Sequence, residues 1–356
     1  MVGISTTESA AIATFGTLCD EEGILKRPGW KEGDIRNGFT DQHTLLRFLQ
    51  ANNMDPPQAL DQLRQATDFH TKNEALSLYD LIDVDDYEDT RRLYPAWSGR
   101  RDRRGRPILM SNILALERDP VAHWRQTRTI TPARQDGAHT RYTLNMAQRA
   151  LVFFDGLTRF VLPLCAAVRR QKPGNSHAAD DVLKCVAVVD AATLSLKQAW
   201  DLRDFGKEIS WILATCYPEA IDRVYVCNAP SYFSTLWKIL KGFVEPKTAE
   251  KLVILTSAEA YTVVSEDIDH DSIPTSVGGG LAYDTGMLPT LDDELRQAVR
   301  WSLPEPGQLP PGPIKWVLGG SGEWKAIATG TVEGVARADE IGVLTLNQVD
   351  QVNGGQ

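Results

Sequence analysis

The sequence predicts an α/β protein, and three observations carry that prediction. Val182 to Asp190 (VLKCVAVVD) is β-branched and almost continuously apolar, the pattern of a strand buried on both faces. A helical segment, Leu194 to Thr215, and a short β-prone run, Val224 to Cys227, follow it. Phe233, Leu236, Trp237, Leu240 and Val244 then recur at helical spacing before another apolar run, Leu252 to Leu255. Strand, helix, strand, helix and strand in that order imply βα units feeding one sheet.

Composition sets the broad class. The 356 residues suggest one large domain plus additions, or two to three small domains. Hydrophobic residues make up 42% and charged residues 24%, enough apolar side chain for a sizeable core. The net charge of -9 gives no global attraction to nucleic acid or to anionic membranes, so any membrane contact needs a local patch. Cys19, Cys165, Cys185, Cys216 and Cys227 are odd in number and form no CxxC, as expected of reduced, buried thiols. The N-terminus, MVGISTTESA, has no basic n-region and too little apolar sequence for a signal peptide, and its Gly3 is misplaced for myristoylation. Leu151 to Val168 is the best apolar run, but Asp155, Arg159 and Pro163 interrupt it, which argues against a membrane span. The expectation is a soluble, cytoplasmic protein, at most peripheral at membranes.

Along the chain, residues 1–39 predict a short helix and then irregular chain. From Thr40 a helix with Leu45, Leu46, Phe48 and Leu49 on its core face is expected, capped by Asp41. Pro56 opens another, with Ala59, Leu60, Leu63, Ala66 and Phe69 in register. Ser98 to Pro107 (SGRRDRRGRP) packs five arginines into one loop. It reads either as a solvated hairpin turn or as a headgroup or membrane-surface contact. Residues 120–139 have no clear period. Thr140 to Arg170 reads as a long helical region that Pro163 kinks or splits, and Lys172 to Asp181 as a loop. A short helix is expected around Ala258 to Val264. Pro304 to Pro313 (PEPGQLPPGP) reads as a stiff linker, with a few short strands in Ile314 to Leu346 packing back on the domain.

The densest information lies in Tyr217 to Thr256. Pro218 ends the preceding helix, Asn228-Ala229-Pro230 is turn and helix-start chemistry, and Pro246 stops the helix from Ser231 to Glu245. YPE, a short strand, NAP, FSTLWK, EPKTAEK and a closing apolar strand resemble, in that order, the Sec14-like (CRAL-TRIO) lipid-binding proteins. Upstream, TLLRFLQANNMDPPQAL resembles the helical module that precedes such domains, and Asp102, Gly105, Arg106 and Pro107 resemble the entry into their first strand. Ile273 to Gly279 resembles their closing strand and double Gly, so the resemblance covers about residues 40–283.

The resemblance implies a mixed β-sheet flanked by helices, enclosing a hydrophobic lipid pocket closed by a gate helix. It divides the chain into an N-terminal helical module (1–95), a lipid-binding domain (96–283) and a C-terminal extension (284–356). The gate would carry Phe233, Leu236, Trp237 and Leu240 on its apolar stripe, with Lys238 and Lys241 facing outward. Each of those lysines would contribute on the order of 1 kcal/mol near anionic lipid. Gly242 and Gly206 are candidate hinges. In phosphatidylinositol-binding members, a Glu in the YPE motif and a Thr and a Lys after the gate hold the inositol phosphate head. The matching positions are Glu219, Thr248 and Lys251.

On the residues alone Glu219 and Lys251 read either as an ordinary surface Glu and a surface Lys or as a pair, since opposite charges beside buried elements are costly unless paired. Thr248 is equally placed to cap a helix. Ser195, five residues after Asp190, matches a hydroxyl position that contacts a phosphatidylcholine head, or is a helix N-cap. The basic pair usual after the first helix of the module is replaced here by Asn52 and Asn53, which offer only neutral hydrogen bonds. Ser195 and Lys197 stand where some fungal relatives carry haem ligands, so no iron ligand is evident.

No catalytic or cofactor motif is present: GxGxxG, GxxxxGK[ST], HExxH and GxSxG are all missing, and Gly319 to Gly322 reads as a turn. His43, His70, His123, His139, His177 and His270 lie in separate segments, and Asp267, Asp269, His270 and Asp271 read as a solvated acidic loop rather than a metal site. The expected function is non-enzymatic, without cofactor or metal. One phospholipid, phosphatidylinositol or phosphatidylcholine, is held and transferred or presented at membranes. The alternatives are a carrier of a sterol, tocopherol-like compound or haem, and a lipid-regulated scaffold whose C-terminal extension binds a protein partner.

Overall fold

A computed structural model describes residues 6–25, 27–34, 42–113, 126, 144–171, 184–243, 245–320 and 323–345. Asp41, Val182, Leu183, Val244, most of 120–139 and the loop 172–181, with His123, His139 and His177, lie outside the described residues.

The chain opens with helix α1 (Thr6–Glu21), which buries Phe15 and Cys19. Helix α2 (Gln42–Ala51) buries Leu45, Phe48 and Leu49, while Leu46 is partly covered. Asn53 and Met54 turn the chain through the left-handed region, at φ 54° and 61°. Asp55 then caps α3 (Pro56–Lys72), accepting from the Gln58 N–H at 3.1 Å. Ala59, Leu60, Leu63, Ala66 and His70 form its buried face. Two short helices, α4 (Ala75–Tyr79) and α5 (Val84–Arg91), lead into the sheet.

Among the described residues the central sheet has five strands in the order β1 (Ala96–Arg101), β2 (Pro107–Asn112), β3 (Cys185–Asp190), β4 (Ile221–Cys227) and β5 (Leu252–Ile254). β1 and β2 form an antiparallel hairpin, turned at Gly105 with φ 80°, and the remaining pairs are parallel. The sheet is therefore mixed, as the family resemblance implies. Alternation splits its residues: Ile108, Met110, Val186, Val188, Tyr225 and Cys227 share one apolar cluster, whereas Leu109, Cys185 and Ala187 join the main core.

The long helical region crosses that core as α6 (Met146–Gly156), a π-turn (Leu157–Val161) and α7 (Leu162–Arg170). Pro163 has no N–H to give its preceding turn, and the chain widens immediately before it. By length and composition Met146–Arg170 is a candidate membrane span, but every residue of its apolar window is buried inside the protein. Asp155 receives the Tyr217 hydroxyl at 2.7 Å and pairs with Arg27 at 3.4 Å, and Arg159 pairs with Asp34 at 2.6 Å. The charges that interrupt the apolar run are thus paired within the core.

Between β3 and β4 the expected single helix is two: α8 (Leu196–Asp201) and α9 (Arg203–Cys216). Between β4 and β5 lie α10 (Phe233–Leu240), a 3₁₀ turn (Lys241–Phe243) and α11 (Pro246–Ala249). The helix expected over Ser231 to Glu245 is therefore shorter, Phe233–Leu240. Helix α12 (Ser257–Asp267) covers the second sheet face through Ala260 and Val264.

The closing strand expected at Ile273 to Gly279 is instead a 3₁₀ turn, Thr275–Val277. Pro274 lacks a donor, Gly278 sits at φ 96°, and a Cβ on Gly279 would collide with the Ile273 carbonyl oxygen. Past this turn come α13 (Asp293–Ala298), β6 (Arg300–Trp301), β7 (Ile314–Leu318), β8 (Trp324–Ala328), β9 (Thr331–Val332), β10 (Val335–Ala336) and β11 (Asp339–Leu344). β6, β11, β8 and β7 form a four-stranded antiparallel sheet in that order. Its Trp316, 1% exposed, stacks on Phe160 with centroids 5.3 Å apart and joins the main core. The Pro/Gly-rich run before it is held against the chain: the Leu309 N–H donates to the Pro289 carbonyl at 3.0 Å, and the Leu291 N–H to Gly307 at 2.8 Å.

Candidate functional site

Parallel strands place their N-terminal ends along one edge. Lys184 immediately precedes β3, Glu219 lies two residues before β4, and Lys251 immediately precedes β5. Helix α9 stops at Cys216, and the buried Tyr217 hydroxyl anchors the turn on Asp155 and on the Leu151 carbonyl, 3.0 Å away. Pro218 prevents continuation, and Glu219 adopts φ 54°. That left-handed conformation costs a non-glycine residue about 1 kcal/mol or more, and it aims the carboxylate along the strand edge.

The Lys251 Nζ donates to Glu219 Oε1 at 3.1 Å, and the Lys184 Nζ to Oε2 at 2.7 Å. Burial pushes the Glu219 carboxyl upward, but the hydrogen bond from Lys184 and the charge of Lys251 outweigh it, so the group is held below its usual range. The expected Glu219–Lys251 pair therefore exists, with a second ammonium on the same carboxylate. Lys184 escaped the sequence reading because it was absorbed into an apolar strand. A lone cation in such a run was the available signal, since it needs a partner.

Glu219, Thr248 and Lys251 line one cleft of about 150 Å³, with Leu213, Tyr217, Pro218, Ile221 and Val224 as apolar wall. Asn52, Gln62 and Lys247 close its far side. The Asn52 amide donates to Gln62 Oε1 at 2.6 Å and to the Phe48 carbonyl at 2.9 Å, and Gln62 Nε2 donates to the Ala214 carbonyl at 2.9 Å. The Lys247 ammonium donates to the Ala51 carbonyl. Asn53 is exposed and is not among the lining residues.

Ser195 and the start of α10 stand at the opposite edge, beyond the C-terminal ends of β3 and β4, on the order of 20 Å away by strand rise. Ser195 caps α8, its Oγ accepting from the Gln198 N–H at 3.1 Å, and it is exposed. Phe233 of α10 is buried among Ala191, Leu194, Ala199, Val226 and Ala229, and stacks on the partly buried Trp237 with centroids 6.5 Å apart. Lys238 and Lys241 are exposed, as expected, and Leu236 and Leu240 lie on the same helix. The segment from α10 through α11 thus returns the chain from the Ser195 edge to the Glu219 edge. Val189, Val224, Leu252 and Ile254 are only partly covered along this route.

The CRAL/TRIO domain family profile matches residues 92–279. This chain belongs to the CRAL/TRIO domain family. Its sequence is 24% identical over 268 residues to the SEC14 cytosolic factor of Candida glabrata, covering 75% of this chain and 78% of that protein. It is also 24% identical over 269 residues to the phosphatidylinositol/phosphatidylcholine transfer protein SFH9 of Arabidopsis thaliana, covering 73% of this chain and 42% of that protein. Among solved structures, the crystal structure of Sfh5 matches with a TM-score of 0.52 at 13% identity, covering 80% of this chain and 91% of that one. That likeness is one of fold, and the Sec14-like resemblance read from Tyr217 to Thr256 stands.

Within this CRAL/TRIO domain the arginine-rich loop is a hairpin turn, the first of its two expected readings, with Arg103 and Arg104 half exposed or more. It joins β1 to β2, and Arg101, Arg103, Arg104 and Arg106 each pair with a carboxylate. Arg103 donates to Asp269 at 2.8 Å and to the Ser265 and Glu266 carbonyls. Arg106 bonds Asp102 at 2.7 Å and also Asp222, while Arg101 grips Asp292 and Glu294, each at 2.8 Å. The basic hairpin and the acidic loop at Asp267 to Asp271 partly neutralise each other. Among the described residues no group of three or more His, Cys, Asp or Glu is arranged to hold a metal ion.

Proposed function

We propose that this protein holds one phospholipid and transfers or presents it at membranes, working in the cytoplasm and touching membranes only peripherally. The acyl chains lie between the sheet and α10, and the phosphorylated headgroup sits at Glu219, Thr248 and Lys251. One observation carries the reading: Glu219, ahead of β4, and Thr248 and Lys251, ahead of β5, line a single cleft beside partly covered apolar strand residues. Lys251 offers a charge and donors to a phosphate, Glu219 accepts polyol hydroxyls and orients Lys251, and Thr248 donates to a headgroup oxygen. No covalent step and no cofactor are needed. Ser195, at the other edge, is assigned to a choline-bearing headgroup. Mass spectrometry of an organic extract of the purified protein is expected to find about one phospholipid per chain. An extract without stoichiometric lipid, from protein that moves no lipid between vesicles, refutes the reading.

A second reading, a carrier of an uncharged hydrophobic molecule, is favoured by the neutral Asn52 in the cleft wall. Lys251→Ala separates the two: phosphatidylinositol exchange collapses under the first, and cargo binding survives under the second. A scaffold acting through the C-terminal extension is not separated by deleting 304–356, because Trp316 and Trp324 belong to the main core.

A further inference from the structure

Two ammonium groups share the Glu219 carboxylate, one on each oxygen. Lys247 reaches the same cleft from α11, and Glu219 is the sole carboxylate among the described residues that line it. The cluster therefore carries surplus positive charge in a partly buried setting, where an anion is the complementary ligand. Lys184 is the more accessible of the pair, its side chain 29% exposed against 22% for Lys251. It is the one able to turn from Glu219 to an incoming oxyanion while Lys251 keeps Glu219 ionised and aligned. The opposite wall adds no charge of its own at Asn52, whose amide already donates to Gln62 and Phe48.

We infer that Lys184, which bonds Glu219 but is not among the residues lining the cleft, joins Lys251 and Lys247 as its third cation, binding the phosphate of a phosphorylated polyol from the strand side. It supplies charge that Asn52 and Asn53 do not supply from the helical module. The inference rests on the headgroup placement proposed above. In the bound state the ion pair Lys184–Glu219 is exchanged for Lys184–phosphate, and Lys251–Glu219 persists.

The test uses the full chain with Lys184→Ala, Lys184→Arg and Lys251→Ala. Each is assayed for transfer of phosphatidylinositol and of phosphatidylcholine between vesicles, and for binding of soluble inositol phosphate by calorimetry. Lys184→Ala is expected to lower phosphatidylinositol transfer and inositol phosphate affinity about tenfold or more. Phosphatidylcholine transfer should stay unchanged, Tm should fall only slightly, as for the loss of one partly exposed ion pair, and Lys184→Arg should retain most of the activity. Inositol phosphate binding that depends on Lys184, without vesicle transfer, supports the same role with a free phosphate as ligand. Native phosphatidylinositol transfer in Lys184→Ala, alongside its loss in Lys251→Ala, overturns the inference and leaves the headgroup placement intact. Native transfer in both variants overturns the placement as well.

Discussion

Lys251 and Glu219, 32 residues apart in sequence, meet at 3.1 Å across the edge of the parallel sheet. The meeting depends on register: Val224 of β4 pairs with Leu252 of β5, which brings the residues leading into the two strands side by side. The Lys184 ammonium completes the cluster from β3.

That cluster makes stability depend on acid. The Glu219 carboxyl is held below its usual value of about 4.5, so its pairing stabilises the fold when the group is ionised in both states. The contribution is fully present above the unfolded value and is lost as pH falls through the lowered folded value. Glu219→Gln is expected to cost about 1 kcal/mol at neutral pH and to flatten the Tm-against-pH curve below about pH 4.5. Superimposable curves for the two proteins would refute the coupling.

Phe233 and Trp237 share a face of α10 but differ in cover, Phe233 being buried and Trp237 partly exposed. Phe233→Ala should destabilise the protein by about 3 kcal/mol in urea unfolding. Trp237→Ala should cost less than that and instead speed release of bound lipid several-fold in a vesicle assay. Equal effects of both substitutions on stability would argue that α10 is fixed core rather than a lid.

Trp316 binds the C-terminal sheet to the π-turn: its ring stacks on Phe160, and its indole N–H donates to the Phe160 carbonyl at 3.1 Å. Trp316→Ala is expected to cost about 3–5 kcal/mol, read by chemical denaturation as a single cooperative transition at lower denaturant. Separate loss of the C-terminal sheet, with the rest still folded, is the contrary result.

Arg103 is already occupied by Asp269 and two carbonyls of the α12 C-terminal turn. Arg103→Glu should lower stability by about 1 kcal/mol and leave sedimentation with anionic vesicles unchanged. A marked loss of vesicle binding would return the hairpin to the membrane-facing role expected from its charge.

The α/β class, the mixed βα order and the helix that carries Phe233 and Trp237 were legible because burial writes a local period into the chain. VLKCVAVVD reads as a strand buried on both faces from its own residues, and Phe233 and Trp237 reveal a helical stripe by spacing alone. Glu219, Thr248 and Lys251 were legible through their motif, and the mutual need of two charges near buried strands already pointed to a pair. Where the local signal was ambiguous, at Ile273 to Gly279, backbone chemistry prevailed. Pro274 and Gly278 favour a turn over the strand suggested by resemblance.

Tertiary structure alone decided which distant charges meet. Lys184 joins Glu219, and Arg103 joins Asp269, because parallel register and helix packing bring those segments together, and a charge carries no period that announces its partner. The same holds for Trp316, whose place in the main core follows from how the C-terminal sheet docks on the π-turn rather than from any pattern within residues 314–344. Sequence determined the elements and one side of the cleft. Packing determined that Asn52, Gln62 and Lys247 close its other side, since those contacts exist only after α3 docks against the end of α9 and Lys247 reaches the Ala51 carbonyl.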